Sequence, residues 1–305
     1  MASDLCFDVV GVGANSVDYV AVLPAFPQPS GPLAKMRLRR HLKSCGGQTA
    51  TALAGCARLG LRCSYVGATG NDANGRLVRD TLGRLDVDIS HLVVHDATSH
   101  FAFILLDERT GERIILWDCD ERLNLTDDEL PGDLLRSCRV VHVDDVDEQA
   151  AIAAARIARA HRIPVTSDID CITGRTSDLI DAVSVAIFAE EVPVQFTGRQ
   201  DVGEALNSMP RRPDQVLCVT LGSRGAMAVD NDGLHQARGF PVPVVDTTAA
   251  GDIFRAGFIY ALLRGWTLDE QLRFANAAAA VSCTRLGAIP SVPSLEEVEQ
   301  LFRSR

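Results

Sequence analysis

The stretch Asp246-Thr247-Thr248-Ala249-Ala250-Gly251-Asp252-Ile253-Phe254 is the most informative part of this sequence. It follows a segment at 240–245 that we expect to form a strand and turn, and it opens an apolar helix predicted over 251–263. The small residues at 249–251 would let a ligand approach the backbone, and their N–H groups would lie at the helix start. Free amides and the positive end of a helix dipole favour a phosphate group there. Asp252 on the first turn either complements the dipole or acts as a base toward a substrate hydroxyl.

Short apolar runs alternate with helical stretches through most of the remaining chain. Such alternation predicts βαβ units and a mostly parallel sheet that is covered by helices on both faces. The predicted strands are 8–13, 64–67, 140–143, 164–168, 184–188 and 215–220. The predicted helices are 48–59, 74–85, 148–160, 176–182, 251–263 and 268–283.

Two segments interrupt this alternation. Residues 17–44 contain four prolines and show no helical period, and residues 100–117 have the pattern of a β-hairpin with a polar turn. We expect both segments to form a small β lid on one main domain covering 1–305, although a purely structural β appendage remains open. Exposed β surface is an aggregation risk, so burial against a second copy predicts a homodimer through the lid.

Composition excludes several classes of function. The chain has 305 residues, of which 47% are hydrophobic and 23% are charged, and its formal charge is −10. That charge argues against broad binding to nucleic acid or anionic membranes. No apolar run approaches the roughly 18 residues of a membrane helix, and Met1-Ala2-Ser3-Asp4 lacks the basic start of a signal peptide. The nine cysteines form no CxxC pair, so we expect a cytoplasmic protein with reduced thiols and no zinc site.

The Asp246–Asp252 stretch closely resembles the C-terminal signature of the PfkB-type carbohydrate kinases, the ribokinase family. Thr220-Leu221-Gly222-Ser223-Arg224-Gly225-Ala226 resembles the family's nucleotide loop, and Gly46-Gly47 begins a segment similar to its first signature. Residues 274–293 also resemble the end of ribokinases, so the likeness covers nearly the whole chain. It implies a ribokinase-like α/β fold: a three-layer α/β/α sandwich with a mostly parallel central sheet and a small β-sheet lid.

The resemblance also implies an ATP-dependent phosphotransferase. In this family the counterpart of Asp252 is the general base that deprotonates a primary hydroxyl of the sugar, and the amides of Ala249, Ala250 and Gly251 form the anion hole. The implied nucleotide-site residues are Thr220, Gly222 and Gly225, with Asn276 near the adenine. The implied sugar contacts are Asp18, Asn15, Gly46, Gly47, Thr51 and Asp144, with Asp145 as a neighbouring alternative.

Two metal ions are implied in the same way. The ribokinase-like tail suggests a potassium ion, and oxygen ligands suit such a hard cation. Its ligands would be the Asp246 carboxylate and the carbonyls of Thr248, Cys283, Leu286 and Ala288, with Ser291 nearby. The family's Asn-x-x-Glu motif for magnesium falls at 189–192, where this chain has Ala-Glu-Glu-Val. Glu190 or Glu191 would substitute through water, because magnesium usually keeps several waters.

The substrate end departs from the ribokinase pattern. Gln48 and Thr51 replace a Lys and an Asn, so ribose is not the acceptor we expect. The stretches 15–18, 46–51 and 144–145 contain no Lys or Arg, which favours an unphosphorylated sugar or polyol unless lid arginines reach the pocket. Two alternatives remain open. One is a nucleoside kinase with Phe101 and Phe103 against the base, and the other is a weakly catalytic sugar- or nucleotide-binding protein.

Overall fold

Two β-sheets organise the chain, which the computed structural model describes from residue 7 to residue 304. Residues 1–6, including Cys6 and the N-terminal stretch considered above, lie outside the described residues. In chain order the strands are β1 Phe7–Val12, β2 Ser16–Leu23, β3 Arg40–Gly46, β4 Cys63–Gly70, β5 Val87–His95, β6 Phe101–Asp107, β7 Arg113–Asp118, β8 Cys138–Asp144, β9 Val165–Asp168, β10 Val185–Phe188, β11 Val216–Thr220, β12 Ala226–Asp230 and β13 Gly233–Ala237.

Helices connect these strands, and their starts follow local sequence signals. The six predicted helices are present, each within one residue of its predicted bounds. Several helices begin at an Asp, Ser or Thr whose side chain accepts a backbone N–H bond, as at Asp72, Asp147 and Ser294. In chain order the helices are α1 Gln48–Arg58, α2 Ala73–Arg84, α3 Gly132–Leu135, α4 Glu148–Ala160, α5 Thr176–Ala182, α6 Glu191–Thr197, α7 Val202–Ser208, α8 Ala250–Leu263, α9 Leu268–Ser282 and α10 Leu295–Arg303.

The larger sheet is mixed, with mostly parallel strands and helices on both faces. Its order is β13-β12-β11-β10-β9-β8-β1-β4-β5, and only the β11-β12-β13 end is antiparallel. Val140 and Val141 are adjacent on β8 and therefore point to opposite faces. Val140 packs in the layer that contains Ile259 of α8, and Val141 packs in the layer that contains Ala154 of α4. This arrangement confirms the predicted three-layer sandwich.

The smaller sheet consists of the segments predicted to form the lid. Its order is β3-β2-β6-β7, with β2 and β6 parallel and the other pairs antiparallel. The pairing register places Ser44, Asp18, Ala102 and Trp117 in one row, so their side chains share one face. Val20 and Ile104, on the same face, pack with Leu286 near the C-terminal tail. This face of the lid sheet is therefore turned toward the segment around the signature.

One prediction about the segment before the signature is wrong. Residues 240–245 form no strand, and the signature is instead preceded by the β12–β13 hairpin and an extended connection. Pro241 and Pro243 explain the difference, because proline lacks the N–H that a sheet ladder needs. Within residues 7–304, no helix combines the length and apolar character needed to cross a lipid bilayer.

Candidate active site

The start of α8 holds the residues that the sequence predicts to form an anion hole. Ala249 is the N-cap residue and has a left-handed backbone with φ of 65°, which is uncommon for a residue with a Cβ. Ala250 N–H donates to the Thr247 carbonyl at 3.2 Å. Within the described part of the chain, the N–H groups of Ala249 and Gly251 make no hydrogen bond to protein. The strained turn thus leaves two amides at a helix N-terminus free for an anion.

Asp252 lies on the first turn of α8, directly after these amides. Its carboxylate makes no hydrogen bond to any group among residues 7–304. Burial raises its pKa above the ordinary value, the nearby carboxylates of Asp170, Asp18 and Asp144 raise it further, and Arg255 opposes them. A carboxylate that has no protein hydrogen-bond partner beside two free amides is placed to accept a proton from a bound hydroxyl, and the raised pKa makes its ionised form a stronger base.

Asp18 faces the site from the lid sheet and is enclosed by glycines. A Cβ at Gly46 would lie 2.2 Å from Asp18 Oδ2, and a Cβ at Gly47 would lie 2.5 Å from the Asn15 Cα. Gly47 also has φ of 92°, which favours glycine. Burial raises the pKa of Asp18 to about 6, against a weaker opposing effect of the Ser16 hydroxyl, which donates to Oδ1 at 3.2 Å. A side chain at position 46 would collide with the Asp18 carboxylate, and one at position 47 would collide with the backbone at Asn15. Both positions therefore need glycine.

Two other residues that were predicted to contact the sugar already form hydrogen bonds within the protein. Asn15 Nδ2 donates to the Tyr65 hydroxyl and the Ala68 carbonyl at 2.8 and 2.7 Å. Asp144 is fully buried, and its Oδ2 accepts hydrogen bonds from Ala14 N–H and the Thr49 hydroxyl, both at 2.6 Å. Burial raises the pKa of Asp144 to about 6.

Two further pocket residues were considered from sequence. Asp145 accepts hydrogen bonds from the N–H groups of Asp170 and Cys171 at 2.8 and 3.0 Å. Thr51 is fully buried on α1, and its hydroxyl has no hydrogen-bond partner in the described residues. Of the four predicted carboxylates Asp18, Asp144, Asp145 and Asp252, Asp18 and Asp252 have the fewest protein hydrogen bonds. All the predicted contacts with the sugar stay predictions.

The predicted nucleotide loop is a tight turn after β11. Thr220 Oγ1 donates to the Phe188 carbonyl at 3.3 Å, and Gly222 and Gly225 have positive φ values of 55° and 100°. A Cβ at Gly225 would lie 2.1 Å from the Ala237 carbonyl oxygen, so this position needs glycine. Asn276 Nδ2 donates to that same carbonyl at 3.0 Å. The loop, β13 and α9 are thereby fixed together at one edge of the sheet.

The segment predicted to handle magnesium is already engaged with this loop. Glu190 forms an ion pair with Arg224, and Glu191 is exposed at the first residue of α6. No three His, Cys, Asp or Glu side chains between residues 7 and 304 are grouped closely enough to hold a metal ion. These two carboxylates therefore form no metal site by themselves, and their binding of magnesium through water stays a prediction.

The predicted potassium ligands are brought together. Asp246 Oδ2 accepts from Gly287 N–H at 2.9 Å, and its Oδ1 accepts from Thr248 N–H at 2.9 Å. The Cys283 carbonyl accepts from Val245 N–H at 2.8 Å. The Ala288 carbonyl accepts from the Ser291 hydroxyl at 2.7 Å, and Leu286 packs against the lid. The Asp246 carboxylate thus ties the signature to the tail around Gly287, and the binding of a potassium ion by the carbonyls of this region stays a prediction.

The structure places three residues at the site that were not predicted there from the sequence. Arg113 was considered only as one of the lid arginines that could reach the pocket, and Trp117 and Arg255 were given no role. Arg113 of β7 donates from Nη1 to the Thr247 hydroxyl, within the same chain. Trp117 is 73% exposed and lies in the same row of the lid sheet as Asp18. Arg255 of α8 is buried against Asp168, at the end of β9. Only Arg255 had a local signal, because it follows Asp252 by three residues and so lies on the same helix face.

Comparison with known proteins agrees with this fold. The model of the pfkB family of carbohydrate kinases matches residues 8–295, and the chain belongs to that family. It is therefore a kinase of the class that transfers a phosphoryl group to an alcohol.

Individual relatives span the whole length of the chain. A ribokinase of Haemophilus influenzae is 25% identical over 94% of this chain and 95% of its own length. A nucleoside kinase of Methanothermobacter thermautotrophicus is 29% identical over 98% and 96%, respectively. Among solved structures, a ribokinase of Arabidopsis thaliana complexed with ribose and ATP covers 98% of this chain and 99% of its own, with a TM-score of 0.81 and 24% identity. At that identity the structural likeness shows the fold.

Proposed function

We propose that this protein is an ATP-dependent sugar kinase that phosphorylates a primary hydroxyl of an unphosphorylated sugar or polyol, with Asp252 as general base. The observation that carries the proposal is the start of α8. Two free amides and a carboxylate without a protein partner lie within four residues of one another there. Phosphoryl transfer needs an anion site, a base and a positioned hydroxyl in one place.

Each group has a separate task in this scheme. Asp18 accepts hydrogen bonds from sugar hydroxyls and orients the acceptor, since a carboxylate can receive two adjacent hydroxyls. Asp252 takes the proton of the attacking hydroxyl as the new O–P bond forms. The amides of Ala249 and Gly251 donate to the negative charge that develops on the transferred group. ATP supplies that group, and the turn at Thr220–Gly225 with Asn276 would hold the nucleotide.

The charge distribution supports an unphosphorylated acceptor. Asp18 and Asp145 lie on the sugar side of the site, and neither forms an ion pair with a Lys or Arg in the described residues. The lid arginine that does reach the site, Arg113, contacts Thr247 beside the anion hole. Positive charge is thus available for the transferred phosphoryl group, whereas a second phosphate on the sugar would meet carboxylates.

A nucleoside acceptor is the second candidate. The aromatic side chain that supports it is Trp117, whereas the sequence suggested Phe101 and Phe103. Phe101 pairs with Val17 and Phe103 pairs with Tyr19, so both lie on the opposite face of the lid sheet from Asp18. Trp117 lies on the Asp18 face and is largely exposed. If the acceptor is a nucleoside, Trp117→Ala raises its KM at least tenfold, while Leu116→Ala, on the other face, leaves KM unchanged. Equal KM values for Trp117→Ala and the wild type would remove this candidate.

A weakly catalytic binding protein is the third candidate, because Glu190 pairs with Arg224 where the family has its magnesium motif. One experiment separates the three candidates: ADP formation with ATP and magnesium over ribose, fructose, fructose 6-phosphate and adenosine. Turnover with a sugar, and kcat/KM at least tenfold above that for fructose 6-phosphate, supports the proposal. A preference for the phosphorylated sugar contradicts the substrate class, and turnover with no acceptor in a wider panel of sugars and nucleosides supports the binding protein.

A further inference from the structure

A buried arginine lies one helical turn after the proposed base. Within residues 7–304, Arg255 is the one Lys or Arg that is almost wholly buried, with 2% of its side chain exposed. Long helical side chains point back toward the helix N-terminus, so the guanidinium runs past Asp252 toward Gly251. A Cβ at Gly251 would lie 2.6 Å from Arg255 Nη1. The space beside the anion hole that Gly251 leaves open is therefore occupied in part by this guanidinium.

The guanidinium is fixed from the sheet rather than from α8. Arg255 Nη2 lies 2.6 Å from Asp168 Oδ1 at the end of β9 and 3.4 Å from Asp170 Oδ1. It also donates to the Ile187 carbonyl of β10 at 3.3 Å. The Asp168 side chain is only 1% exposed, so neither partner of this ion pair has water as an alternative. A buried charge of this kind persists only with an opposite charge beside it.

Carboxylates surround Asp252 from several elements. Like charges and burial both favour the protonated form of an acid, and a protonated Asp252 cannot accept a proton from a hydroxyl. Arg255 is the only positive group that acts on Asp252 among these neighbours. The titratable groups that face Asp252 or its arginine are Asp18 from β2, His142 and Asp144 from β8, Asp145 directly after β8, Asp168 and Asp170 from β9 and the residues after it, and Cys218 from β11.

We propose that Arg255 is a positioning residue that keeps Asp252 ionised among these carboxylates and thereby sets the pH above which the enzyme turns over. The inference rests on the proposed function, since it concerns the base of that reaction. Arg255 acts through Asp252 and needs no contact with the substrates. Asp168 holds the guanidinium in place, so the ion pair belongs to the catalytic machinery rather than to stability alone.

The test is the pH profile of kcat at saturating acceptor for Arg255→Met and Arg255→Lys. An opposite charge nearby lowers the pKa of an acid, so its loss moves the acidic limb to higher pH, by about one pH unit or more. On the acidic limb the rate of Arg255→Met then falls about tenfold below wild type, and it recovers on the alkaline plateau. Arg255→Lys keeps the charge and keeps the limb in place. An unmoved limb in Arg255→Met, or a plateau lost at every pH, overturns the proposal.

Asp168→Asn covers the case in which Arg255→Met does not fold. This variant removes one negative charge beside Arg255, while the amide oxygen of the new Asn and the Ile187 carbonyl still accept from the guanidinium and keep it in place. The limb therefore moves to lower pH, and an unmoved limb or a shift to higher pH contradicts the proposal. Asp252→Asn tests the assignment of the base separately from the role of Arg255. If it turns over normally, the base assignment and this inference both fail. If it is inactive while Arg255→Met keeps the wild-type limb, only the role of Arg255 fails.

Discussion

Asp18 is 5% exposed and receives a single side-chain hydrogen bond, from Ser16. Burial raises its pKa to about 6, well above the value for an unfolded chain. When folding raises the pKa of an acid, ionisation of that acid lowers the free energy of unfolding. The ionised form of Asp18 therefore opposes folding above about pH 6, and this effect disappears below the unfolded-state pKa near 4. The ionised Asp18 therefore does not stabilise the fold at neutral pH, which is consistent with the proposed role in binding the acceptor.

Asp18→Asn is therefore expected to raise the melting temperature of the ligand-free protein at pH 8 by a few degrees, and to have little effect at pH 4. The ionisation that it removes costs up to roughly 3 kcal/mol at pH 8, because each pH unit of displacement is about 1.4 kcal/mol. The same variant should raise the KM of the acceptor. Calorimetry at the two pH values checks this, with the exposed Asp128→Asn as control. A lower melting temperature for Asp18→Asn at pH 8 would contradict the assigned environment.

Among single residues, those that lie within one continuous motif were predicted from the sequence. Those that strand pairing brings to the site were missed. Asp252 and the small residues before it are local to one helix start, so their relation was visible in the sequence. Trp117 shares a face with Asp18 only because of the β2–β6–β7 register, which depends on contacts about 100 residues apart. The partners of Arg255 come from β9 and β10 and were equally invisible.

The lid sheet has an apolar surface that no other element of residues 7–304 covers. Its edge strand β7 is exposed along its whole length, including Ile114, Ile115 and Leu116 at 41%, 44% and 55%. Phe103 of β6 is also exposed, at 49%. An apolar edge strand with free backbone groups favours association with another copy.

We expect the wild type to have the mass of a dimer at micromolar concentration in light scattering. Leu116→Lys should shift it toward the monomer of 32.8 kDa, because it places a charge on the apolar edge. Leu234→Lys on β13, also exposed and far along the other sheet, should leave the mass unchanged. A monomeric wild type at this concentration would refute dimerisation through the lid.

The tail between α9 and α10 is the second element that carries a prediction. Asp246 joins this tail to the signature through Gly287 N–H, so a potassium ion at Asp246 would order both. Activity should rise when potassium replaces a large organic cation at constant ionic strength, and hydrogen exchange at 283–291 should slow. Asp246→Asn should abolish both responses. If the wild type is indifferent to the cation in both measurements, the ion site is wrong.

For the whole molecule, periodicity predicted the layered fold, and the edges of the central sheet were the part it missed. The buried strands such as β8 and β11 are apolar runs between helices, which is the pattern of a parallel sheet. β5 and β13 are half-exposed edge strands with polar residues, so their sequences lack a continuous apolar signal. Strands β2 and β3 lie in the segment that was predicted to join the lid, but the proline-rich connection between them left their bounds undefined in the sequence.

The central claim is that this fold brings an acceptor hydroxyl to Asp252 for phosphoryl transfer. The most direct measurement compares wild type and Asp252→Asn for ATP affinity by calorimetry and for single turnover by rapid quench with the best acceptor. Loss of a general base typically lowers the rate on the order of 10²–10⁴-fold. The account predicts a loss of that size with unchanged ATP affinity. A near wild-type turnover rate in Asp252→Asn would contradict it.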